Sequence, residues 1–487
     1  MPNRDNRPFR FQRYQHLAAH RDAIFKQFRE IADRLDTEGY RENRFGMLGG
    51  SGAPPVLSRR VRKAIDEGSA QLTPLASLDD RIREIVKSVY GDEWDAAAVS
   101  SAEAGLWVTF DALVSVPMAA RGLKYQSVYA TPFERHTHHQ ASYGAPFPPY
   151  LKDHVADRGV TAGEMGLLGK RLENVSVIFS PLSGARYENH GIKYAPAYLL
   201  LETEAEASAA KFRLTAERHL DRLAAIVSMG YDSPGYGYGE IADGAPKLQR
   251  ALGELAAEWD LPYIVDNARG TPFLGLDPRI TGAGVVIYST DKAFGGPTAG
   301  LIIGQEKFMV PIRRAMGMAG NRWGTTSSHG KAGYVMADPG KEGLLGLIGA
   351  LEGIMDDPDE LTAPVDTLFE LTQSIAAEEL GDIVEHVVIS SSRNALAVEV
   401  NYERSWRTEY PIPIFPIEDF YSGANLIQYG LSGAGIGSPL CYDANIVIGP
   451  LSNLCKSDGV LHEGRAAFAL RTMFQELSYL TKRFNEL

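Results

Sequence analysis

Residues 285–297 read VVIYSTDKAFGGP, and residues 264–268 read IVDNA. Each stretch begins with a run of Val and Ile, which is typical of a strand that is buried on both faces of a sheet. The earlier strand ends at Asp266, and Lys292 lies just beyond the later one. Parallel strands place their carboxyl ends at one edge of a sheet, where ligands bind. The sequence therefore predicts that Asp266 and Lys292 lie at the ligand-binding edge of an α/β domain.

An aspartate and a lysine at these positions meet two requirements of pyridoxal phosphate. This cofactor needs an amine with which to form a Schiff base and a carboxylate that keeps its ring nitrogen protonated. Ala268 leaves room for the face of the ring, and Gly296 allows close approach of the backbone. A surface lysine in a Gly-rich turn and an aspartate that caps a loop would each explain one residue alone. Because the two occur together, we predict pyridoxal phosphate as the cofactor, with Lys292 and Asp266 as catalytic residues.

The composition is that of an ordinary globular protein. The 487 residues are 44% hydrophobic, and 61 acidic against 49 basic side chains give a net charge of -12. Because phosphate binding requires a basic surface, this balance argues against nucleic acid as a main partner.

Cysteine usage and the N-terminal region bear on the compartment. Cys441 and Cys455 lie in neither a disulfide framework nor a zinc-binding pattern. No apolar stretch reaches the roughly 18 residues expected of a membrane span. The first 45 residues mix basic and acidic side chains, unlike a signal peptide. We predict a cytoplasmic protein with free thiols, no membrane partner and no bound metal.

The order of patterns along the chain predicts the fold class. Between about residues 80 and 310 helical patterns alternate with short apolar runs, which predicts an α/β fold: a large domain with a mainly parallel sheet of the seven-stranded type, flanked by helices. Beyond residue 310 the pattern predicts a smaller α+β C-terminal domain. The predicted division is an N-terminal helix and loop arm at 1–78, a large cofactor-binding domain at 79–310 and a small domain at 311–487. The predicted elements are helices at 9–35, 58–67, 79–90, 104–116, 246–259 and 462–484, and strands at 127–130, 175–179, 224–229, 263–266, 285–289, 301–304, 387–390 and 395–401.

A phosphate site is predicted where residues 99–106 read VSSAEAGL. Backbone N–H groups at the start of a helix bind anions, and small residues let the phosphate approach. The residues predicted to hold the phosphate are Ser100, Ser101, Ala102 and Glu103. The hydroxyl of Ser289, three residues before Lys292, is placed to assist. Ordinary roles stay open, because serine is a common helix N-cap and a strand-end serine can bond to backbone.

A histidine cluster at residues 134–140, ERHTHHQ, offers a side chain that could stack on the cofactor ring. A metal site and a solvated polar loop are the other interpretations. Glu134 is the cluster's one obvious further ligand, which weakens the metal interpretation. We predict His138 as the stacking, catalytic residue, with His136 and His139 as alternatives.

Five segments of the chain resemble fold-type I pyridoxal phosphate enzymes, and within them the selenocysteine synthase-like family of L-seryl-tRNA(Sec) selenium transferase and D-glucosaminate-6-phosphate ammonia lyase relatives. The segments are LGGS (48–51), SSAEAGL (100–106), IVDNA (264–268), STDKAFGGPTAGL (289–301) and GKEGLLGLIGALE (340–352). The resemblance implies that Lys292 forms the Schiff base and that Asp266 pairs with the pyridinium nitrogen. Residues 100–105 and Ser289 would grip the phosphate. It also implies a homodimer or larger ring with sites at subunit interfaces.

Two departures from the family pattern bear on the substrate. Residues 145–215 look like an insertion near the active-site mouth, and no tRNA-binding extension is recognisable. The predicted substrate is therefore a small amino acid or an amino-acid derivative rather than a tRNA.

The resemblance also favours a lyase, in which Lys292 removes the α-proton and a β-substituent or ammonia is lost. An aminotransferase or a carbon-carbon lyase, such as an aldolase or decarboxylase, is the alternative on the same fold. A non-enzymatic cofactor-binding scaffold is a third interpretation. For the substrate carboxylate we predict Arg322, with Arg393 and Arg471 as alternatives.

Overall fold

The computed structural model describes residues 13, 16–17, 19–42, 44–47, 54–114, 127–131, 192–196, 205–221, 223–230, 232, 241–318, 339–402, 404–405, 408–413, 423–442, 445–451, 454–456 and 459–486. The chain divides into two compact units. The large unit comprises Leu57–Asp232 and Tyr236–Asp356, and the terminal unit comprises Met1–Val56, Ser233–Gly235 and Asp357–Leu487. The domain division at residues 78 and 310 stays a prediction.

The helices and strands are numbered in chain order. The helices are α1 (Arg21–Leu35), α2 (Arg59–Ser69), α3 (Leu75–Tyr90), α4 (Ala102–Leu113), α5 (Ala205–Ala216), α6 (Lys247–Glu258), α7 (Pro278–Thr281), α8 (Glu306–Ala315), α9 (Lys341–Asp356), α10 (Asp359–Glu379), α11 (Gly423–Gly433) and α12 (Glu463–Asn485). The strands are β1 (Phe45–Gly46), β2 (Trp94–Val99), β3 (Ser127–Thr131), β4 (Ile192–Pro196), β5 (Leu223–Met229), β6 (Ile241–Ala242), β7 (Ala245–Pro246), β8 (Tyr263–Asp266), β9 (Val285–Ser289), β10 (Gly300–Gln305), β11 (Val388–Ser392), β12 (Ala397–Asn401), β13 (Ile436–Gly437), β14 (Leu440–Tyr442) and β15 (Asn445–Ile448).

The large unit is built on a seven-stranded sheet with the spatial order β2-β10-β9-β8-β5-β3-β4. Neighbours from β9 to β4 run parallel, whereas β10 is antiparallel to both β2 and β9. Every residue of β2, β8 and β9 is buried, which explains why these strands are continuous apolar runs rather than alternating ones. The predicted α/β class with a mainly parallel sheet is confirmed. The strand predicted at 175–179 lies outside the described residues.

Helix α4 packs closely on this sheet through its apolar side chains. Leu106 and Phe110 are fully buried in a core that also contains Ile287 and Ile302 of the sheet. A Cβ at Gly105 would lie 3.1 Å from Ile287 Cγ2 and 3.3 Å from Ile302 Cγ1, so a larger residue would push the helix away from the strands. The start of α4 is therefore fixed relative to the ends of β2 and β9.

A buried network of ion pairs joins α3, β2 and α8. Arg313 donates to both oxygens of Asp79, at 2.6 and 3.2 Å, and to the carbonyl oxygen of Ala96 at 2.7 Å. Asp95 Oδ2 lies 3.7 Å from Arg313 Nε, and Asp95 Oδ1 accepts a hydrogen bond of 2.6 Å from Arg83 Nε. The side chains of Arg313 and Asp79 are 8% and 1% exposed. Two cations and two carboxylates therefore balance one another, and three of the four side chains lie where little water reaches them.

The terminal unit contains an antiparallel sheet with the order β11-β12-β15-β14, and its helices α10, α11, α12 and α1. Helix α12 is buried along most of its length, and α1 packs on it through Phe28, whose ring lies 6.2 Å from that of Tyr479. β1 pairs in parallel with β13, which ties the N-terminal segment to the C-terminal one. The predicted α+β character of the C-terminal part is confirmed.

Glu476 of α12 is a fully buried carboxyl group. Oε1 lies 3.1 Å from the position that a Cβ on Gly430 would take, so the group sits against α11. Within the described part of the chain neither carboxyl oxygen has a hydrogen-bond partner. Burial accordingly raises the pKa of Glu476 well above the ordinary carboxyl value.

The change Glu476→Gln is expected to increase stability at pH 8 and to leave it nearly unchanged at pH 4. The folded protein keeps a proton on Glu476 that the unfolded chain releases above its ordinary pKa of about 4.3, so wild-type stability falls as pH rises through this range. A neutral amide at this position has no proton to lose, so the variant is expected to be about 1 to 3 kcal/mol more stable than wild type at pH 8. Urea unfolding at both pH values measures the effect, with the exposed Glu463→Gln of the same helix as control. An equal effect of the two changes would contradict the prediction.

No helix among the described residues is long and apolar enough to cross a membrane. In the same residues, no group of three or more His, Cys, Asp and Glu side chains could hold a metal ion.

Candidate functional site

The ends of β2, β8 and β9 and the beginning of β10 lie at one edge of the seven-stranded sheet. β2, β8 and β9 share a direction, because β10 is antiparallel to both of its neighbours and β8 is parallel to β9. Gly300 pairs with Val99 on one side and with Ser289 on the other. The residues that follow these strands therefore meet at this edge, as the sequence predicted for Asp266 and Lys292.

Asp266 occupies the last position of β8 and is 2% exposed. Its Oδ1 accepts a hydrogen bond of 3.0 Å from the backbone N–H of Ala268. The Asp266 carbonyl accepts a bond of 2.7 Å from the N–H of Gly230. Ala268 itself is buried and small, as predicted. The carboxylate is thus held in one orientation at the strand end.

Asn267 locks the turn that follows Asp266. Its N–H donates to the carbonyl of Ile287 at 2.8 Å, and its side chain lies between Gly230 and Gly270. A Cβ at either glycine would come within 2.3 Å of the Asn267 amide group. A larger residue at either position would force the Asn267 side chain to move.

Lys292 lies in the tight connection between β9 and β10. Thr290 closes this connection. Its N–H donates to the carbonyl of Ala299 at 3.0 Å, and its one hydroxyl proton is shared between the carbonyl of Ala299, at 3.1 Å, and that of Pro297. The N–H of Gly296 donates to the Thr290 carbonyl at 2.7 Å. The lysine backbone is therefore held by bonds on both sides of it.

The electrostatic surroundings of Lys292 favour a reactive amine. Burial lowers the pKa of Lys292, and the positive charge of Arg269 lowers it further. Asp266, Asp291 and Glu103 act in the opposite direction. A lowered pKa increases the neutral, nucleophilic fraction of the amine near neutral pH. Four charged residues, at or just after the ends of three strands, thus act on one Nζ atom.

The first turn of α4 lies beside the start of β10, at the same edge of the sheet. Ser101 is its N-cap, and Ser101 Oγ accepts from the N–H of Ala104 at 3.1 Å. Ser100, Ser101 and Glu103 are partly exposed, and Ala102 is buried. N–H groups in the first turn of a helix have no acceptor within the helix, and the dipole favours an anion there.

Gly300 allows the start of β10 to touch the first turn of α4. A Cβ at this position would lie 2.5 Å from the carbonyl carbon and oxygen of Ser101 and 2.7 Å from the nitrogen of Ala102. Because these are backbone atoms, they cannot move aside without displacing the helix start. Gly300 therefore fixes the distance between the predicted phosphate turn and the strand next to Lys292.

The change Gly300→Ala is expected to destabilise the protein by about 1 to 3 kcal/mol, because the added methyl group overlaps this backbone. The matched control is Gly343→Ala, where the new methyl group would lie 3.7 Å from the nearest atom, Pro339 Cβ. That control is expected to be neutral or slightly stabilising, since alanine favours a helix. Urea unfolding compares the two, and equal stability of both variants would contradict the argument.

The remaining predicted site residues are a serine near Lys292, three histidines and three arginines. Ser289 is buried, and its Oγ donates to Asp291 Oδ1 at 2.7 Å, so its contact with a phosphate stays a prediction. His136, His138, His139 and Arg322 lie outside the described residues. Arg393 is paired with Asp366, and Arg471 with Glu378 and Glu379, within the terminal unit.

The residue pattern indicated no role for Arg269 or Asp291. Each is a charged residue within three positions of Asp266 or Lys292, and each acts electrostatically on Lys292. Their closeness in sequence to Asp266 and Lys292 is the feature from which this effect could have been predicted.

No protein-family model matches the chain. A segment of 74 residues is 42% identical to L-seryl-tRNA(Sec) selenium transferase from Solidesulfovibrio magneticus. This match covers 13% of the chain and 16% of that relative, so most of the relative's length has no counterpart in the match.

Solved structures with the same fold include transaminases. An S-selective transaminase from Bacillus megaterium matches over 87% of this chain and 86% of its own, with 13% identity and a TM-score of 0.52. The taurine:2-oxoglutarate aminotransferase from Bifidobacterium kashiwanohense, solved in complex with PLP and glutamate, matches over 87% and 85%, with 11% identity and a TM-score of 0.51. At such identities the likeness shows the fold alone. The predicted fold type I is confirmed.

Proposed function

We propose that this protein is a pyridoxal phosphate-dependent enzyme that acts on a small amino acid or amino-acid derivative. The observation that carries the proposal is the convergence of Lys292, Asp266 and the first turn of α4 at one edge of the sheet. A fold alone does not fix function, so these residues carry the proposal.

The donor set at this edge fits the cofactor. A buried, oriented carboxylate at Asp266 suits a protonated ring nitrogen, and Ala268 leaves space beside it. Lys292 offers an amine whose pKa is lowered by burial. Backbone N–H groups at residues 100–103, with Gly296 and Ser289 near Lys292, suit the phosphate. His138 and Arg322 keep their predicted roles in ring stacking and in binding the substrate carboxylate.

When bound, pyridoxal phosphate supplies an electron sink that weakens the bonds to the α-carbon of an amino acid. The chain's own residues then decide which proton moves. Lys292 Nζ is the natural general base, because burial lowers its pKa and so favours the neutral amine. Asp266, whose Oδ1 accepts a hydrogen bond from the Ala268 N–H, would pair with the protonated ring nitrogen. Thr290 holds the connection that carries Lys292, and the bond from the Asn267 N–H to the Ile287 carbonyl holds the turn after Asp266.

The reaction we propose is that of a lyase, with α-proton removal by Lys292 and loss of a β-substituent or of ammonia. The local likeness to a selenium transferase supports a reaction at the β-position. Transamination is the second candidate, since solved structures of the same fold are transaminases. A cytoplasmic location and a homodimer or larger homo-oligomer belong to the same proposal.

Incubation of the protein and cofactor with single amino acids distinguishes the two reactions. A lyase is expected to release ammonia without an added 2-oxo acid, at a rate that does not depend on such an acceptor. An aminotransferase would release no ammonia and would aminate pyruvate or 2-oxoglutarate instead. Mass spectrometry of the products and an ammonia assay decide between them. Products of transamination alone would overturn the lyase proposal.

A further inference from the structure

Helix α9 touches the connection that carries Lys292 through a glycine. A Cβ on buried Gly346 would lie 2.5 Å from Pro297 Cγ and 2.7 Å from Pro297 Cδ. The proline ring cannot swing aside, because its Cδ is bonded to the backbone nitrogen. The ring of Pro297 therefore occupies the space that any side chain on Gly346 would need.

Pro297 is bonded to the part of the connection that precedes Lys292. Its carbonyl accepts the hydroxyl of Thr290. The N–H of Gly296 donates to the Thr290 carbonyl at 2.7 Å. The N–H of Thr290 donates to the carbonyl of Ala299 at 3.0 Å. These bonds close the connection around Lys292, so a displacement of Pro297 is passed on to the backbone of the lysine.

Helix α9 is itself held by close packing on α2. A Cβ on Gly349 of α9 would lie 2.9 Å from Ala64 Cβ of α2, and a Cβ on Gly68 of α2 would overlap the side chain of Leu345. Besides Pro297, the nearest atom to a Cβ on Gly346 would be Cδ1 at the tip of a flexible isoleucine side chain, at 3.1 Å. The connection is therefore the part that yields if Gly346 gains a side chain.

We propose that Gly346 is a positioning residue for Lys292: its bare α-carbon seats the ring of Pro297 and so fixes the connection that holds the amine at the sheet edge. The inference rests on the proposed function, because the position of Lys292 bears on chemistry only if its amine bonds to the cofactor. Gly346 acts through Pro297 and is assigned no contact with the cofactor or the substrate.

Gly346→Ala is expected to loosen the connection in protein without cofactor. Hydrogen–deuterium exchange under native conditions, read by mass spectrometry, follows the peptide that contains residues 290–299. Loss of one hydrogen bond that closes the connection corresponds to about tenfold faster exchange of its amide. The matched control is Gly349→Ala, on the same helix, whose methyl group would meet Ala64 of α2 instead. That control is expected to destabilise the fold and to leave exchange of this peptide unchanged.

The second readout is the reaction of Lys292 with pyridoxal phosphate. The visible band that reports this bond is expected to form about 10- to 100-fold more slowly in Gly346→Ala, the loss expected of a displacement on the order of 1 Å. In Gly349→Ala the rate of band formation is expected to equal that of wild type.

Pro297→Ala provides a rescue, because it removes the ring atoms that the new methyl group would meet. Alone it leaves a gap beside Gly346 and is expected to speed exchange of the connection. Combined with Gly346→Ala, the methyl group fills that gap, and exchange and band formation should both return toward wild type. A general loss of stability would instead make the double variant worse than either single one.

Equal exchange of the 290–299 peptide in Gly346→Ala and Gly349→Ala would overturn the inference, as would a double variant no better than Gly346→Ala. If Gly346→Ala does not fold, a double variant with Pro297→Ala that folds supports the contact, and one that also fails to fold overturns it.

The two readouts separate this inference from the proposed function. If wild-type protein forms no band with pyridoxal phosphate, the proposed function fails, while exchange still decides whether Gly346 fixes the connection. If wild-type protein forms the band and Gly346→Ala forms it equally fast, the positioning role of Gly346 fails and the proposed function stands.

Discussion

Replacing Lys292 with alanine is expected to abolish covalent attachment of pyridoxal phosphate. Wild-type protein mixed with the cofactor should show a visible absorption band, and borohydride reduction should fix the cofactor to one peptide, the one that contains Lys292. The variant lacks the amine that Thr290 and the β9–β10 connection hold at the sheet edge, so both signals should disappear. Catalytic turnover should be lost with them, because Lys292 is also the proposed base.

The control for this prediction is Lys307→Ala, which removes an exposed lysine of α8 and should leave the band intact. Two results would contradict the prediction. A band that persists in Lys292→Ala would assign the covalent bond to another amine. Absence of a band in wild-type protein would contradict cofactor binding and leave only the similarity of fold.

The second large effect is expected from Arg313→Ala, which should lower the free energy of unfolding by about 3 to 5 kcal/mol. The change removes the cation that serves Asp79 and the Ala96 carbonyl, and it leaves a buried carboxylate without its partner. Chemical denaturation with urea, followed by far-ultraviolet circular dichroism, measures the loss. Cofactor binding should be retained under native conditions, since the network lies among α3, β2 and α8 rather than at the strand ends.

The matched control is Arg314→Ala, which removes the adjacent, exposed arginine and should cost less than 1 kcal/mol. The double change of Arg313→Met with Asp79→Leu should recover part of the loss, because it leaves neither charge unpaired. A single Arg313→Ala variant as stable as Arg314→Ala would show that the buried network contributes little.

The parts of the fold that sequence predicted best are the strands that carry the site. Tyr263–Asp266 and Val285–Ser289 have the predicted bounds, because strands buried on both faces need an unbroken apolar run and end where polar residues begin. The helix predicted from residue 104 begins at Ala102, since the Ser101 cap admits two more residues to the first turn. Local chemistry was sufficient for these features.

Features that depend on distant partners could not be predicted in this way. The place of β10 in the sheet depends on its pairing with β2, a strand distant in sequence, and the Arg313–Asp79 pair joins residues 234 positions apart. Nothing near Arg313 in the sequence indicates its partner. The hydrogen bond from Ser289 to Asp291 likewise depends on burial, which a residue pattern does not contain.

The placement of β10 between β2 and β9 has a consequence for biosynthesis. The ribosome synthesises β2 and the Ser100–Glu103 turn early. β10, which pairs with β2 and separates it from β9, is synthesised only after Lys292. Folding that waits for contacts distant in sequence is slow, and unpaired strand edges are exposed meanwhile. A nascent chain truncated before Gly300 should therefore be unable to capture cofactor, whatever residues it already contains.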